Sequence, residues 1–434
     1  MKRIIELARK KGVEAEILMK EHQTINIQFQ DGKLNSVTKN NLNDFSLRVL
    51  NNGKLGIIYG SKAKNREKLV DAAIDLAKAG RKVDFHFSDH SKFKKLKLTS
   101  GKIKKLNISD LKEIGDDVKG RMKKFLDVEP DITISTSSAK TSIATTNGTN
   151  ISQKQTTFVN FFMVKIPASS GGIYEFIWDI KPGKIKDKAL KKIAKEYKLF
   201  KKSFTPETGT MPVIFNPDSF STLIYSFLTG VSGDNLVKNI SPLKDKLGEQ
   251  IFSPKLTILD DPLKDKSIHS IPFDYEGIPT TTKYLVENGI LKSFLYDLYT
   301  ASKLGTKSTG NGFKYSMFGS SISAPITPFS NSIYISPGDK SEKELISSIE
   351  KGLYIKQVMG FHSGDYRQGR FSVSVGIGYY IEKGKLKGRL VNTMIAGNIY
   401  DVLKNIIDIS KETKNTELGK FPWVLLEKVN VSGK

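Results

Sequence analysis

An alternation of apolar and polar residues between Glu21 and Tyr59 constrains the fold more than any other feature of this chain. A period of two is the pattern of strands that bury one face. Asp31-Gly32 and Asn52-Gly53 interrupt the alternation, and both dipeptides favour tight hairpin turns. The stretch is therefore predicted to form an antiparallel meander, with apolar positions at Ile25, Ile27, Phe29, Phe45, Leu47, Val49, Leu55, Ile57 and Tyr59.

Helical periodicity and capping residues flank this meander and recur later in the chain. One predicted helix, Asn65–Ala79, has an apolar stripe of Leu69, Ala73 and Leu76. Asn216-Pro217 is a strong helix start, because Asn is a good N-cap and Pro is favoured in the first turn. Further helices are predicted over Arg3–Lys10, Ser109–Leu126 with Ser109 as N-cap, Lys186–Lys202, Ser341 to Gly352 with a capping box at Ser341/Glu344, and from Asn398 onward.

The rest of the chain consists mostly of strand and turn patterns. A second run of strands is predicted over Ile132–Ile180, and strands with Gly-rich turns dominate after Ser267. These patterns predict an α+β fold, in which N-terminal units of helices and antiparallel meanders precede a strand-rich C-terminal domain with a few helices. We place an N-terminal α+β unit at 1–95, a middle α+β unit at 96–205 and the C-terminal domain at 206–434.

The length and charge of the chain limit the kinds of protein that it can be. The 434 residues are enough for two or three domains. Lysine and arginine outnumber aspartate and glutamate by 69 to 45, which gives a net charge of +24. Most of the basic residues are lysines that are mixed with acids along the chain, which favours a solvated surface over a nucleic-acid site. No apolar run could span a membrane and the charged start is unlike a signal peptide, so we expect a cytoplasmic protein.

No motif for catalysis stands out among the residues. Cysteine is absent, so there is no thiolate nucleophile and no cysteine-bearing zinc site. The five histidines form no HExxH or HExxxH pattern, and no P-loop or GxSxG elbow occurs. The acids Asp260, Asp261, Asp274 and Glu276 lie close in sequence and are predicted to be surface turn residues. We therefore assign no catalytic residue and no metal ligand, and we expect this chain to bind no cofactor.

One polar, Gly-rich loop is the best candidate for a functional site, because binding residues are often carried on loops. It runs from Gly360 to Gly369, and Arg370 follows it directly. His362, Asp365, Tyr366 and Arg370 are the residues that we single out as a cleft or partner-contact loop.

Several segments of the C-terminal half match a known family in order and spacing. They are Ser270–Pro279, Leu285–Leu291, Lys307–Gly312, Ser363–Gly369, Tyr380–Gly384 and Ile395–Asn398, and the earlier segment Arg48–Gly56 also fits. The chain resembles the TldD/PmbA family, once called modulators of DNA gyrase. In the TldD branch, the helix that opens the last domain carries HExxxH, and a later cysteine helps to hold zinc. The resemblance covers essentially the whole chain and is weakest over 81–200.

The matching helix of this chain, Ser219–Asn235, lacks those ligands. Ile224 and Tyr225 fall near the positions of the first His and the Glu, and Thr229 falls near the second His. The segments Ser363–Gly369 and Ile395–Asn398 are more similar to the PmbA/TldE branch, which has the fold without the metal.

The resemblance implies a TldE/PmbA-like subunit of a cytoplasmic metalloprotease complex that acts on peptides. Zinc would be held by a TldD-like partner in a heterodimer or larger assembly, and a homodimer in the absence of that partner is left open. Two alternatives also stay open. One is a metallopeptidase in its own right with an unusual metal site near His362, and the other is a basic nucleic-acid-associated protein.

Overall fold

The predicted meander is the first half of a longer antiparallel sheet in the N-terminal part of the chain. The computed structural model describes residues 1–90, 92–166, 171–316 and 319–433, so 167–170 of the predicted strand run Ile132–Ile180 lie outside the described residues. Among the described residues, six strands form this N-terminal sheet in the order β3-β2-β1-β4-β5-β6. They are β1 Glu14–Gln30, β2 Lys33–Asn51, β3 Lys54–Ser61, β4 Asp131–Thr145, β5 Asn150–Lys165 and β6 Gly172–Asp179.

The two predicted turn dipeptides form the hairpins of the meander. Asp31 and Asn52 have φ of 47° and 49°, and each is followed by a glycine, Gly32 or Gly53, with φ of 70°. Positive φ at both central residues is what a type I′ hairpin turn requires, and Asp-Gly and Asn-Gly satisfy it at little steric cost. The prediction of an antiparallel meander is confirmed.

Strands from both predicted N-terminal stretches belong to this one sheet. β1 pairs with β4 in antiparallel register from Glu16↔Thr145 to Phe29↔Ile132. The boundaries at 95 and 205 stay predictions. The helices of this part are α1 Lys2–Lys10, α2 Arg66–Lys78, α3 Gly101–Lys105, α4 Ile108–Lys123 and α5 Asp187–Leu199.

The C-terminal part contains a twelve-stranded mixed sheet among the described residues. Within it, five strands close into a ring, because β22 pairs with β8, β8 with β17, β17 with β18, β18 with β20, and β20 with β22. Closure leaves these strands without free edges. The strands of the C-terminal part are β7 Ser203–Phe204, β8 Gly209–Phe215, β9 Ile258–Asp260, β10 Lys283–Glu287, β11 Ile290–Leu291, β12 Gly312–Phe313, β13 Tyr315–Ser316, β14 Gly319–Ser320, β15 Thr327–Pro328, β16 Ile333–Ile335, β17 Lys351–Met359, β18 Arg370–Glu382, β19 Lys385–Leu390, β20 Thr393–Asn398, β21 Ile406–Thr416 and β22 Gly419–Gly433. Of these, β12 pairs with β15 and β13 with β14 outside the twelve-stranded sheet.

Short helices connect these strands, and the longest of them begins where Asn216-Pro217 predicted. The expected helix Ser219–Asn235 is divided, because one helix ends at Gly230 and the next begins at Gly233. The helices are α6 Pro217–Gly230, α7 Gly233–Val237, α8 Leu298–Lys303, α9 Glu342–Ser347 and α10 Ile399–Val402. Asn216 caps α6, since its Oδ1 accepts a hydrogen bond from the Ser219 amide at 2.9 Å. The large apolar side chains of α6 lie in the core, where Phe227 packs edge-on against Phe252. The α+β class with a strand-rich C-terminal part is confirmed.

The buried face of α2 differs from the predicted one. Leu76 is 50% exposed and Leu69 is half-buried, whereas Ala73 is buried as predicted, together with Val70 and Ala77. The cause is Gly56 of β3, because a Cβ there would come within 2.0 Å of the Ala73 carbonyl oxygen. The helix therefore packs directly on the strand backbone, where only small residues fit, and the pattern of large apolar residues cannot reveal that contact.

Ile57 and Tyr59 of β3 are exposed, although they continue the apolar alternation. They lie on the edge strand of the sheet, opposite the face that α2 covers. Several helix boundaries also differ, and α4 and α5 end at Lys123 and Leu199 instead of Leu126 and Lys202. Asn107 rather than Ser109 caps α4, and α9 ends at Ser347 instead of Gly352. α7 and α8 have five and six residues, too few for a periodic signal.

None of the described helices has the length and apolar character that a membrane span requires.

Candidate functional site

Helix α6 lies where the family resemblance places the metal motif. Ile224 is fully buried in the core of the C-terminal part. Tyr225 and Thr229, one helical turn apart, line a cavity of about 270 Å³. Side chains four residues apart lie on the same face of a helix, so both project into this space. We call this cavity the aromatic cleft and define it by Tyr225, Thr229, Tyr315, Phe329, Tyr366 and Arg367.

Rings from four parts of the chain form the walls of the aromatic cleft. The Tyr315 and Phe329 rings stack with centroids 4.1 Å apart. Tyr225 of α6 lies 6.0 Å from Phe329 and 5.9 Å from Tyr366. These separations are within the range of attractive aromatic pairs, so the rings hold one another in place. Tyr366 belongs to the predicted candidate loop, which therefore does reach the helix that carries the metal motif in the family.

Some polar groups of the aromatic cleft have partners within the protein and others do not. The Tyr315 hydroxyl donates to Glu417 Oε1 at 2.6 Å, and Asp234, also on the wall, pairs with Lys238 at 2.7 Å. By contrast, the Tyr225 and Tyr366 hydroxyls and the Arg367 guanidinium have no hydrogen-bond or ion-pair partner within the described part of the chain. These three groups are available to a ligand.

Burial sets the protonation of the cleft tyrosines. It raises the pKa of Tyr225 to about 12, with a further contribution from Tyr366. Burial and the hydrogen bond to Glu417 raise the pKa of Tyr315 far above its usual range. Both phenols are therefore neutral hydrogen-bond donors at physiological pH.

The donor set of the cleft does not fit zinc. Zinc in proteins is bound by cysteine, histidine and carboxylate side chains. The positions on α6 hold an isoleucine, a phenol that stays protonated and Thr229, whose hydroxyl donates to the Ser226 carbonyl at 2.8 Å. Over the described ranges, no group of three or more His, Cys, Asp or Glu is placed to hold a metal ion. The cleft is a cavity lined by aromatic rings and hydroxyl groups.

The four predicted loop residues do not converge on one site. Tyr366 lines the aromatic cleft, together with its neighbour Arg367. Arg370 instead lines a separate cavity of about 380 Å³. His362 and Asp365 are exposed, and the Asp365 carbonyl accepts hydrogen bonds from two later amides of the same turn. A functional role for these four residues stays a prediction. Sequence reasoning gave no signal for Tyr315 and Phe329, which are distant in the chain from α6.

The predicted surface location of the clustered acids is wrong for three of them. Asp260, Asp274 and Glu276 are each at most 1% exposed. Asp274 accepts hydrogen bonds from the amides of Glu276, Ile278 and Gly312, each at 2.9 Å. Gly312 belongs to another of the family segments, so two segments that are distant in sequence bind each other. The turn-like sequence around these acids predicted that their side chains would be exposed. They are buried because long-range hydrogen bonds offset the cost of removing the carboxylates from water.

A buried ion cluster joins the N-terminal sheet to the C-terminal part. Arg48 of β2 donates to both Glu16 oxygens and, through Nη1, to Glu276 Oε1, all at 2.8 Å. The second Glu276 oxygen accepts a hydrogen bond from the Leu298 amide at 2.7 Å. Burial and the nearby Glu276 raise the pKa of Asp297, the α8 cap, to about 7. The family segments at Arg48 and Glu276 thus have a structural role at this junction.

Comparisons with known proteins identify the family of this chain. The family model described as the PmbA/TldA metallopeptidase C-terminal domain matches 208–433, and that of PmbA/TldA metallopeptidase domain 1 matches 15–77. An uncharacterized protein of Methanocaldococcus jannaschii is 25% identical over 430 residues, covering 94% of each chain. A metalloprotease of the same organism is 27% identical over 417 residues, covering 92% of this chain and 90% of the relative.

Solved structures share the fold over the whole length. A Thermotoga maritima protein titled as a modulator of a DNA gyrase superposes with a TM-score of 0.86 at 28% identity, covering 99% of each chain. TldE from Thermococcus kodakarensis superposes with a TM-score of 0.90 at 23% identity, covering 100% of both chains, and shows the common fold. The resemblance seen in the sequence segments is confirmed, and the chain belongs to the PmbA/TldD metallopeptidase family.

Proposed function

We propose that this chain is the TldE/PmbA-like, non-catalytic subunit of a peptide-degrading complex with a TldD-like partner. The observation that carries the proposal is the metal position of α6, where Ile224, Tyr225 and Thr229 replace ligands within an otherwise complete family fold. A chain that has the scaffold without the ligands can contribute to a protease by completing the space around its partner's site. The partner would bind the zinc, and the complex would work in the cytoplasm.

The features of this subunit support such a role. The buried cluster of Arg48, Glu16 and Glu276 holds the N-terminal sheet against the C-terminal part, so the chain can act as one wall of a shared chamber. The aromatic cleft is lined by Tyr225 and Thr229, the positions at which the resemblance would place the metal motif of a TldD-like partner. A peptide that enters the chamber would therefore meet a binding surface on this subunit and the reactive site on the other.

Reconstitution with the TldD-like homologue from the same genome tests the proposal. We expect the two chains to co-purify and the partner's peptidase activity to rise when this chain is added. Activity of the partner alone that does not change on addition would contradict the subunit role. Peptidase activity of this chain alone, lost on treatment with a chelator and restored by zinc, would instead establish the alternative of an independent metallopeptidase.

A further inference from the structure

We propose that the aromatic cleft binds the carboxyl-terminal residue of a peptide, with its large apolar side chain against the rings and its carboxylate on Arg367. The proposal rests on the proposed function insofar as the ligand is a peptide. It goes beyond that function in naming the part of the peptide that this subunit holds, and the groups that hold it.

The size of the cleft suits one residue. Its volume is about 270 Å³, just below the ~300–1,000 Å³ of pockets that enclose drug-sized ligands. A single large side chain with its terminal carboxylate is a ligand of this smaller class. The rest of the peptide would extend out of the cleft toward the space shared with the partner.

The walls favour an aromatic or large apolar side chain. Tyr225, Phe329, Tyr315 and Tyr366 present ring faces and edges that already pack at 4.1–6.0 Å from one another. An incoming ring can extend this cluster in the edge-to-face or offset geometry that aromatic pairs prefer. Because the rings are packed and Tyr315 is tied to Glu417, the walls need little ordering when the ligand binds.

The positive charge of Arg367 favours a ligand with a carboxylate. Asp234 on the wall is paired with Lys238, and Glu417 accepts a hydrogen bond from the Tyr315 hydroxyl. Arg367 is then the one charged group on the cleft wall that lacks a counterion within the described ranges. Its guanidinium carbon lies 6.0 Å from the centroid of Tyr366, one of the cleft rings. Guanidinium groups bind carboxylates through paired, charge-assisted hydrogen bonds.

Neutral donors complete the site. The hydroxyls of Tyr225 and Tyr366 have no partner among the residues described. Burial raises the pKa of Tyr225, so its hydroxyl keeps its proton and can donate a hydrogen bond. These donors can meet the second carboxylate oxygen or the last peptide carbonyl.

Binding of two labelled tetrapeptides to the full chain tests the proposal. Both have the sequence Gly-Ser-Gly-Phe with an N-terminal fluorescein, and one ends in a free carboxylate while the other ends in an amide. Fluorescence anisotropy is measured for the chain alone and for the chain with its partner. We expect the free acid to bind about tenfold or more tightly than the amide, because charge-assisted hydrogen bonds are lost in the amide.

Two variants assign the effect to the cleft. Arg367→Gln should weaken binding of the acid and abolish its preference over the amide. Tyr366→Leu should weaken both peptides, because it removes a ring and not a charge. The matched control is Arg389→Gln, which changes a half-buried arginine outside the cleft, bonded to Ser203 at the surface, and should change neither affinity. Unchanged thermal unfolding shows that each variant is folded.

The outcomes separate this proposal from the proposed function. If neither peptide binds to the chain, with or without partner, the cleft is not a peptide site and the proposal is overturned. Equal affinity for acid and amide, or equal losses in Arg367→Gln and Arg389→Gln, also overturns it. A third outcome is that the chain binds the acid selectively through Arg367 but does not raise its partner's activity. That result would support the cleft proposal and reject the subunit role.

Discussion

Arg48 Nη1 lies 2.8 Å from Glu276 Oε1, across 228 positions of the sequence, and both side chains are almost completely buried. This contact joins the meander of the N-terminal sheet to a segment that identifies the family. Arg48 also binds Glu16 through two hydrogen bonds, so one guanidinium satisfies two carboxylates. Removing a single member of such a cluster leaves buried charge without a partner, which makes the junction sensitive to substitution.

Arg48→Met should destabilise the protein by about 3–5 kcal/mol, because Glu16 and Glu276 would then be buried without their common cation. Urea unfolding at neutral pH measures the change in the free energy of unfolding. The control is Arg3→Met, whose ion pair with Glu6 is 3.9 Å long and exposed, and which should cost about 0–1 kcal/mol. Similar losses in the two variants would show that the cluster does not stabilise the junction.

Asp297→Asn should change how stability depends on pH. Burial and the nearby Glu276 raise the folded pKa of Asp297 to about 7, so between about pH 4 and 7 the folded state keeps a proton that the unfolded chain releases. The stability from this group is complete below about pH 4 and is lost as pH rises through about 7. Wild type should therefore lose stability relative to Asp297→Asn between pH 5 and pH 8. Urea unfolding of both proteins at these pH values checks this, and a constant difference would refute the shift.

Phe227→Ala should cost about 3–5 kcal/mol, because the ring is fully buried on α6 and packs edge-on against Phe252 at 5.5 Å. Leu247→Ala is the control, since Leu247 is 58% exposed and should cost within about 0.5 kcal/mol. Chemical denaturation compares the two. A stable Phe227→Ala protein that loses only partner-dependent activity would mean that α6 keeps a cleft open instead of filling the core.

The purified protein should contain no stoichiometric zinc after dialysis. The expectation follows from the sequence, which has no cysteine and no HExxxH, and from the phenol and hydroxyl donors on α6. Elemental analysis by mass spectrometry measures the metal content. About one tightly bound zinc per chain would contradict the non-catalytic role and favour the alternative of an independent metallopeptidase.

The complex with a TldD-like partner should withstand about 0.5 M salt. The interface is expected on the C-terminal domain, around 206–434, and an obligate interface of this kind buries about 2,000 Å² or more. Contacts through the lysine-rich stretches 81–124 and 181–202 would be screened within about 8–10 Å at physiological ionic strength. Co-purification in low and high salt distinguishes these outcomes, and dissociation at high salt would place the interface on the basic stretches.

Part of the candidate site was accessible from the sequence. The segment order identified the family, and the comparison of α6 with HExxxH showed which positions lack ligands. Tyr366 was predicted as a cleft residue from its loop, but Arg370, predicted with it, lines a different cavity. Neighbours in a tight turn point in different directions, so proximity in sequence does not decide which side chains share a cavity.

Local patterns determined the meander, its turns, the cap of α6 and the strand-rich C-terminal class, because alternation, capping and turn chemistry act between near neighbours. Tertiary structure alone decided that Asp274 and Glu276 are buried, that Gly56 brings α2 onto the strand backbone, and that Tyr315 and Phe329 meet Tyr225. Each of these depends on groups far apart in the chain. Burial of a carboxylate, close backbone contact and a shared cavity are set by such partners, and no local pattern contains them.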